Sequence, residues 1–166
     1  SYQLYPDGTE GDGSKEKPYL ISNDLELARL AHEVNNGTEL QMFSQKYFKL
    51  TKDIDLSKGL WTPIGTAQGI AKASDGHFFA GKFDGDGHSV SNLLIKWSFN
   101  TAKEASWGLF ARLNGKGNNE NEYAAVTNLI IDNALIEKLE AHMPLNNANY
   151  TVKMGIVVAD MTQNAE

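Results

Sequence analysis

The chain contains no cysteine, which excludes disulfide bridges, thiolate metal sites and a cysteine nucleophile. No apolar run approaches the ~18 residues that a membrane-spanning helix needs, so no transmembrane span is expected in this segment. Positive charge is sparse. The 15 Lys and Arg residues stand against 21 Asp and Glu, giving a formal net charge of −6, and no two cations are adjacent. A nucleic-acid partner is therefore not expected, because binding by counterion release needs clustered Lys and Arg. The four histidines, His32, His77, His88 and His142, show neither H-x-x-x-H nor H-E-x-x-H spacing, and no G-x-S-x-G elbow or phosphate loop occurs. No catalytic residue, cofactor or zinc site is assigned on these grounds. Ser1 opens the chain without a signal peptide, as expected of a segment cut or processed from a longer precursor.

What is present points to a scaffold. A chain of 166 residues with 41% hydrophobic content suits one domain with a real core. It is organised around Phe79–Ile95, FAGKFDGDGHSVSNLLI. Gly81, Gly85 and Gly87 break any helix and permit sharp turns. Val90, Leu93 and Ile95 then supply a short strand. A second copy lies at Ala125–Asn133, AVTNLIIDN, where Asn128–Leu129 repeats Asn92–Leu93. A second echo relates Trp107–Phe110, WGLF, to Met154–Val157, MGIV, and so Gly108 to Gly155. Self-similarity of this kind marks a stacked architecture.

In chain order, residues 1–17 carry Pro6, Gly8, Gly11 and Gly13 and read as a flexible lead-in to a domain over 18–166. Pro18–Ile21 is a candidate first strand. Asn23 and Glu26 form a capping-box pair ahead of a helix over about Asp24–Asn35. Its apolar face is Leu27, Leu30, Ala31 and Val34, widened by Leu25 and Ala28, and Asn36–Gly37 is the stop. An open stack of strands exposes its first rung, and a one-sided helix just before the strands fits the role of a cap. Tyr47–Leu50 begins the strands. Ile54 and Leu56 put one face inward and Asp53 and Asp55 outward. Pro63 argues against a central strand at Leu60–Ile64, Gly65–Gly76 reads as a loop, and Val152–Ala159 closes the chain as a strand.

The flanks of Asp84–Gly85 fit a local hairpin. The recurrence of Asn-Leu-x-Ile, followed each time by an excursion and a Gly-apolar-apolar element, favours a parallel coil in which like stacks on like. In such a coil Asn92 and Asn128 stand at stacked bends, bonding backbone groups of their own and neighbouring turns. The spacing from Gly108 to Asn128, carried forward from Gly155, runs past Glu166. The chain is thus expected to stop inside a repeat, its end covered by further sequence, a partner copy or local cover.

FDGDGHSVSNLLI, WGLF, AAVTNLIIDNALI and MGIVVA resemble the GLUG-motif repeats of bacterial cell-surface proteins. PYLISNDLELARLA and YFKLTKDIDLSKGLWTPIG resemble the segments that precede those repeats. The resemblance spans about Pro18–Ala159. It implies an all-β fold, a right-handed parallel β-helix with an N-terminal capping helix. It also implies a non-catalytic module of a larger secreted or surface protein, such as the adhesin-like proteins of Bacteroidetes or the non-catalytic regions of immunoglobulin A peptidases. The family carries no agreed catalytic residues to transfer. Gly108, Leu109 and Phe110 match its Gly-Leu-Phe element, from which Gly155, Ile156 and Val157 depart. The implied partners are a host or microbial surface glycan or protein and the remaining domains of a longer chain.

The densest ionisable cluster is Asp84, Asp86 and His88. Asp84 and Asp86 are weak calcium candidates, since the oxygen ligands of a calcium loop are not continued; a tight turn whose carboxylates accept backbone N–H bonds is the plainer reading. Asp53 and Asp55 are candidates for a cation or sugar, against a merely solvated strand face. Trp97, Tyr123 and Tyr150 are the candidate ligand-binding rings, while Trp61 and Trp107 read as core. A glycan- or protein-binding module needs such rings exposed together. A polysaccharide lyase or hydrolase needs paired ionisable groups in a cleft.

Overall fold

In the computed structural model of the chain, the described residues are 11–37, 41–65, 68–70, 77–97, 104–115, 123–138 and 151–161. Residues 11–17 are bends rather than free chain: Gly13 donates to Lys17, and its carbonyl accepts from Tyr47. Strand β1 (Tyr19–Ile21) leads into helix α1 (Asp24–Asn36). Asn23 caps α1, its side chain accepting the Glu26 N–H at 2.9 Å while donating to the Glu26 carboxylate. The buried face is Leu27, Leu30, Ala31 and Val34. It is narrower than expected, because Leu25 is 75% exposed and Ala28 also faces out. The helix does not end on a left-handed glycine either. Gly37 has φ −69, and the Asn36 side chain bonds the His32 carbonyl instead.

The strands then visit four sheets in a fixed rotation. The first round is β2 (Gln41–Met42), β3 (Tyr47–Leu50), β4 (Ile54–Asp55) and β5 (Gln68–Ile70). The second is β6 (Phe78–Phe79), β7 (Lys82–Asp84), β8 (Ser89–Trp97) and β9 (Glu104–Trp107). The third is β10 (Phe110–Leu113), β11 (Ala125–Thr127), β12 (Ile130–Lys138) and β13 (Thr151–Met154), after which β14 (Val158–Met161) returns to the sheet of β10. The sheet orders are β1-β3-β7-β11, β14-β10-β6-β2, β12-β8-β4 and β13-β9-β5. Among the described residues every strand pairing is parallel except β5 with β9, which is antiparallel and irregular. The fold is therefore all-β, with several parallel sheets and one short N-terminal helix. The Gly65–Gly76 stretch contains β5 rather than loop alone. Val152–Ala159 is two strands, β13 and β14, not one, because Gly155 to Val157 turn the chain between sheets. Pro63 behaves as expected: beside it only Ile64 makes an isolated parallel bridge, to Phe110.

One core runs through the rounds. Phe48, Phe79, Phe83 and Phe110 are at most 1% exposed, with ring centroids 5.2–5.7 Å apart from Phe48 to Phe79 to Phe110. Leu27, Leu30, Ala31 and Val34 of α1 join the same cluster. No hairpin forms at Asp84–Gly85, since β7 and β8 lie in different sheets.

The longest strands carry a phase slip. In β8, Val90, Leu93, Ile95 and Trp97 all face inward, although strict alternation would turn Leu93 away from the side of Val90. Asn92 resolves the conflict by adopting left-handed backbone, φ 57, which Asn tolerates better than most residues. Asn133 repeats the device in β12 at φ 60.

Candidate functional site

Several of the polar residues singled out in the sequence meet one another on the outside of the sheets. Ile54 is turned into the core, so Asp53 and Asp55 on either side point out. Asp53 accepts the Ser89 N–H at 2.9 Å and meets His88 Nδ1 at 3.2 Å. The Ser89 N–H and, after it, His88 hold its carboxyl below the usual range. Asp55 Oδ1 accepts Asn92 Nδ2 and the Ser57 N–H, both at 2.9 Å, and Oδ2 accepts the Ser57 hydroxyl. Its carboxyl is lowered too, first by the Asn92 amide and then by Ser57. Asn92 Oδ1 in turn accepts from Asn133 Nδ2 at 2.8 Å. Asp55, Asn92 and Asn133 thus form a polar ladder across β4, β8 and β12.

This corrects the expected pairing of the two asparagines. Asn92 and Asn128 do not stack. Ser91 pairs with Asp132 and Leu93 with Ala134, so Asn92 lies opposite Asn133. The reason is corner length. Four residues, Gly85–His88, separate β7 from β8, but only two, Asn128 and Leu129, separate β11 from β12. Asn128 belongs to that corner: its carbonyl accepts the Gly87 N–H and its Nδ2 donates to Asp84 at 3.2 Å. The ladder also joins side chains to side chains, not to backbone. D-N-A-L-I matches S-N-L-L-I as well as T-N-L-I-I does, so the sequence alone does not choose between the two partners.

Asp84 Oδ1 accepts the Asp86 N–H at 2.8 Å, closing its own turn. Asp86, at φ 50, places its carboxylate 3.7 Å from Lys49 Nζ. Both weak calcium candidates thus have protein partners. Among the described residues, no group of three or more His, Asp or Glu side chains is placed to hold a metal ion.

Among the described residues the candidate rings form no platform. Trp97 is 4% exposed and stacks on Trp107 with centroids 6.0 Å apart and planes at 22°. It is core because it continues the inward series of Leu93 and Ile95. Tyr123 is half-buried, and Tyr150 lies outside the described residues. A groove of about 480 Å³ does run beside the ladder, lined by Leu56, Lys58, Leu60, Leu94, Asn133 and Leu135.

The glycines serve two purposes. Gly87 takes φ 77 with open space around it, a conformation that side chains resist. Gly81 and Gly85 are needed for room: a Cβ at Gly85 would lie 2.5 Å from the Asn128 carbonyl oxygen, and one at Gly81 2.9 Å from that of Lys46. Gly108 and Gly155 pack just as closely, against the Gly155 and Val158 carbonyls respectively. The echo of WGLF in MGIV is real at its start, since Trp107 pairs with Met154. One extra residue then enters, and Phe110 pairs with Val158.

No helix among the described residues is long and apolar enough to cross a membrane. No family model matches the chain, and no solved structure matches it. The chain is similar to Halomucin of Haloquadratum walsbyi (strain DSM 16790 / HBSQ001), 34% identical over 115 residues, or 67% of this chain. It spans only 1% of the length of that protein.

Proposed function

We propose that this chain is a non-catalytic structural or adhesive module of a larger extracellular protein, built as a right-handed parallel β-helix whose first rung is capped by α1. The observation that carries the reading is the rotation through four sheets, with the exposed carboxylates spent on bonds between rounds rather than converging on a cleft. Right-handedness follows from the strong preference of parallel strand–crossover–strand connections. The place of α1 between β1 and β2, with its apolar face in the common core, supports the cap. Similarity to a segment of Halomucin supports an extracellular setting in a long polypeptide. The resemblance to GLUG-motif repeats agrees with both.

The test is incubation of the chain with a panel of neutral and acidic polysaccharides, followed by assay for new reducing ends and unsaturated products. No turnover is expected. Turnover that disappears in Asp53→Asn or Asp55→Asn would make the chain an enzyme. The groove beside Asn92 and Asn133 favours a second reading, a glycan- or protein-binding module. A glycan array tests it: a specific hit abolished by Leu60→Asp or Leu135→Asp would move binding to the front.

A further inference from the structure

The third round differs from the second in one systematic way. From β11 onward, positions that are sealed in the second round open in the third. Trp107 is 7% exposed, whereas its partner Met154 is 58% exposed. Leu109 is 0% exposed; Ile156, whose carbonyl it bonds, is 52% exposed. Val90, Leu93 and Ile95 are at most 1% exposed, and their partners Ile131, Ala134 and Ile136 are only partly buried. Among the described residues β11, β12, β13 and β14 are each the last strand of a sheet, so their outer N–H and C=O groups form an open edge.

The amide ladder says what fits there. Ionised Asp55 is an acceptor only, so Asn92 must turn its NH₂ toward it. The oxygen of Asn92 then faces Asn133, which must donate in turn. The carboxylate therefore fixes the orientation of both amides, and Asn133 Oδ1 is left with no protein partner among the described residues. A second copy set face to face about a two-fold axis at Asn133 would bring two such oxygens together. A further rung in the parallel register that already joins β8 to β12 would bring a donor.

We propose that the face of β11 to β14 is a strand-accepting surface. Its occupant is a polypeptide rung running parallel to it, apolar at the inward positions, with an Asn, Gln, Ser or Thr donor over Asn133. The proposal rests on the parallel-coil reading above.

The experiment appends residues 82–115, the chain's own second-round segment, after Glu166, and compares the extended and original chains by hydrogen peroxide oxidation of Met154. Hydrogen exchange of β3 and β7 in the original chain reports the scaffold separately. The expected result is slow exchange in β3 and β7 in both chains, and Met154 oxidation slowed about tenfold or more by the extension, the protection that burying one methionine carries. Asn92→Asp in the appended copy should remove that protection, because it sets a carboxylate on the Asn133 oxygen. Unchanged oxidation with β3 and β7 protected overturns the surface alone. Fast exchange in β3 and β7 overturns the coil and the surface together. A dimer by light scattering that already shields Met154 in the original chain shows that the face takes a copy, and also overturns the proposal.

Discussion

Replacing Asn92 separates what its backbone does from what its side chain does. The residue holds φ 57 in mid-strand and makes two side-chain bonds, to Asp55 and from Asn133. Asn92→Gly keeps the left-handed backbone and loses the amide. The Asn133 bond alone is worth about 0.5–1.5 kcal/mol, and the bond to Asp55 adds to that loss. Asn92→Ala loses the same bonds and also places a Cβ in left-handed backbone, at about 1–2 kcal/mol. Part of that is offset, because alanine restricts the unfolded chain more than glycine by about 0.4–1 kcal/mol. The alanine variant should therefore be the less stable of the two by about 1 kcal/mol, measured by urea unfolding with unchanged m-value. Asn92→Asp adds a pH signature. Two carboxylates would then face each other, so the variant should lose most stability near neutral pH and recover as the pH falls through the carboxylate range. Equal stabilities of the alanine and glycine variants would refute the role given to the backbone. An Asn92→Asp variant whose deficit does not change with pH would refute the ladder.

Four further outcomes follow from the geometry. Gly85→Ala should destabilise by about 1–3 kcal/mol, because its Cβ meets backbone of the next round that cannot yield; Gly87→Ser has space and should be limited by φ alone. Burial raises the Glu33 carboxyl above its usual pKa, and its Oε1 has no hydrogen-bond partner among the described residues. The ionised form therefore costs stability at neutral pH, so Glu33→Gln should raise the melting temperature at pH 7 and lose that advantage below about pH 4. Asp53 and Asp55 are depressed in the fold, so their contribution is present above the unfolded carboxylate pKa and lost as pH falls through the folded values. Acid titration of stability should accordingly be shallower in Asp53→Asn. Arg112 is 2% exposed with its Nε 3.7 Å from Asp160; Asp160→Ala should cost about 3 kcal/mol by removing its counter-charge, and Arg112→Met in the same chain should restore part of it.

Local signals were legible in the sequence where one element decides its own structure. Asn23 and Glu26 announced α1, and Leu27, Leu30, Ala31 and Val34 announced its buried face. The inward face at Ile54 and Leu56 could be read from alternation, and the apolar residues of β3, β7 and β8 could be picked out by type. Signals failed where two distant segments had to be aligned. The likeness of S-N-L-L-I to T-N-L-I-I hid the match with D-N-A-L-I, because nothing local discloses that one corner is two residues shorter. The burial of Trp97 is illegible for a related reason. Its parity can only be counted from Leu93, after the slip at Asn92, and not from Val90. The antiparallel β5 carries little apolar pattern of its own in Gln68–Ile70, so pairing with β9 alone makes it a strand.

The unequal corners have a consequence for how such a chain can change. Phe83 pairs with Val126 before the corner, and Val90 pairs with Ile131 after it, although the two paths between them differ by two residues. Register is re-established by the next strand, within a single turn of the chain. An insertion at a corner is thus a local edit and not a frameshift. Residues added there leave every later inward position still inward, so the outer margin can vary in length while the stack beneath keeps its place.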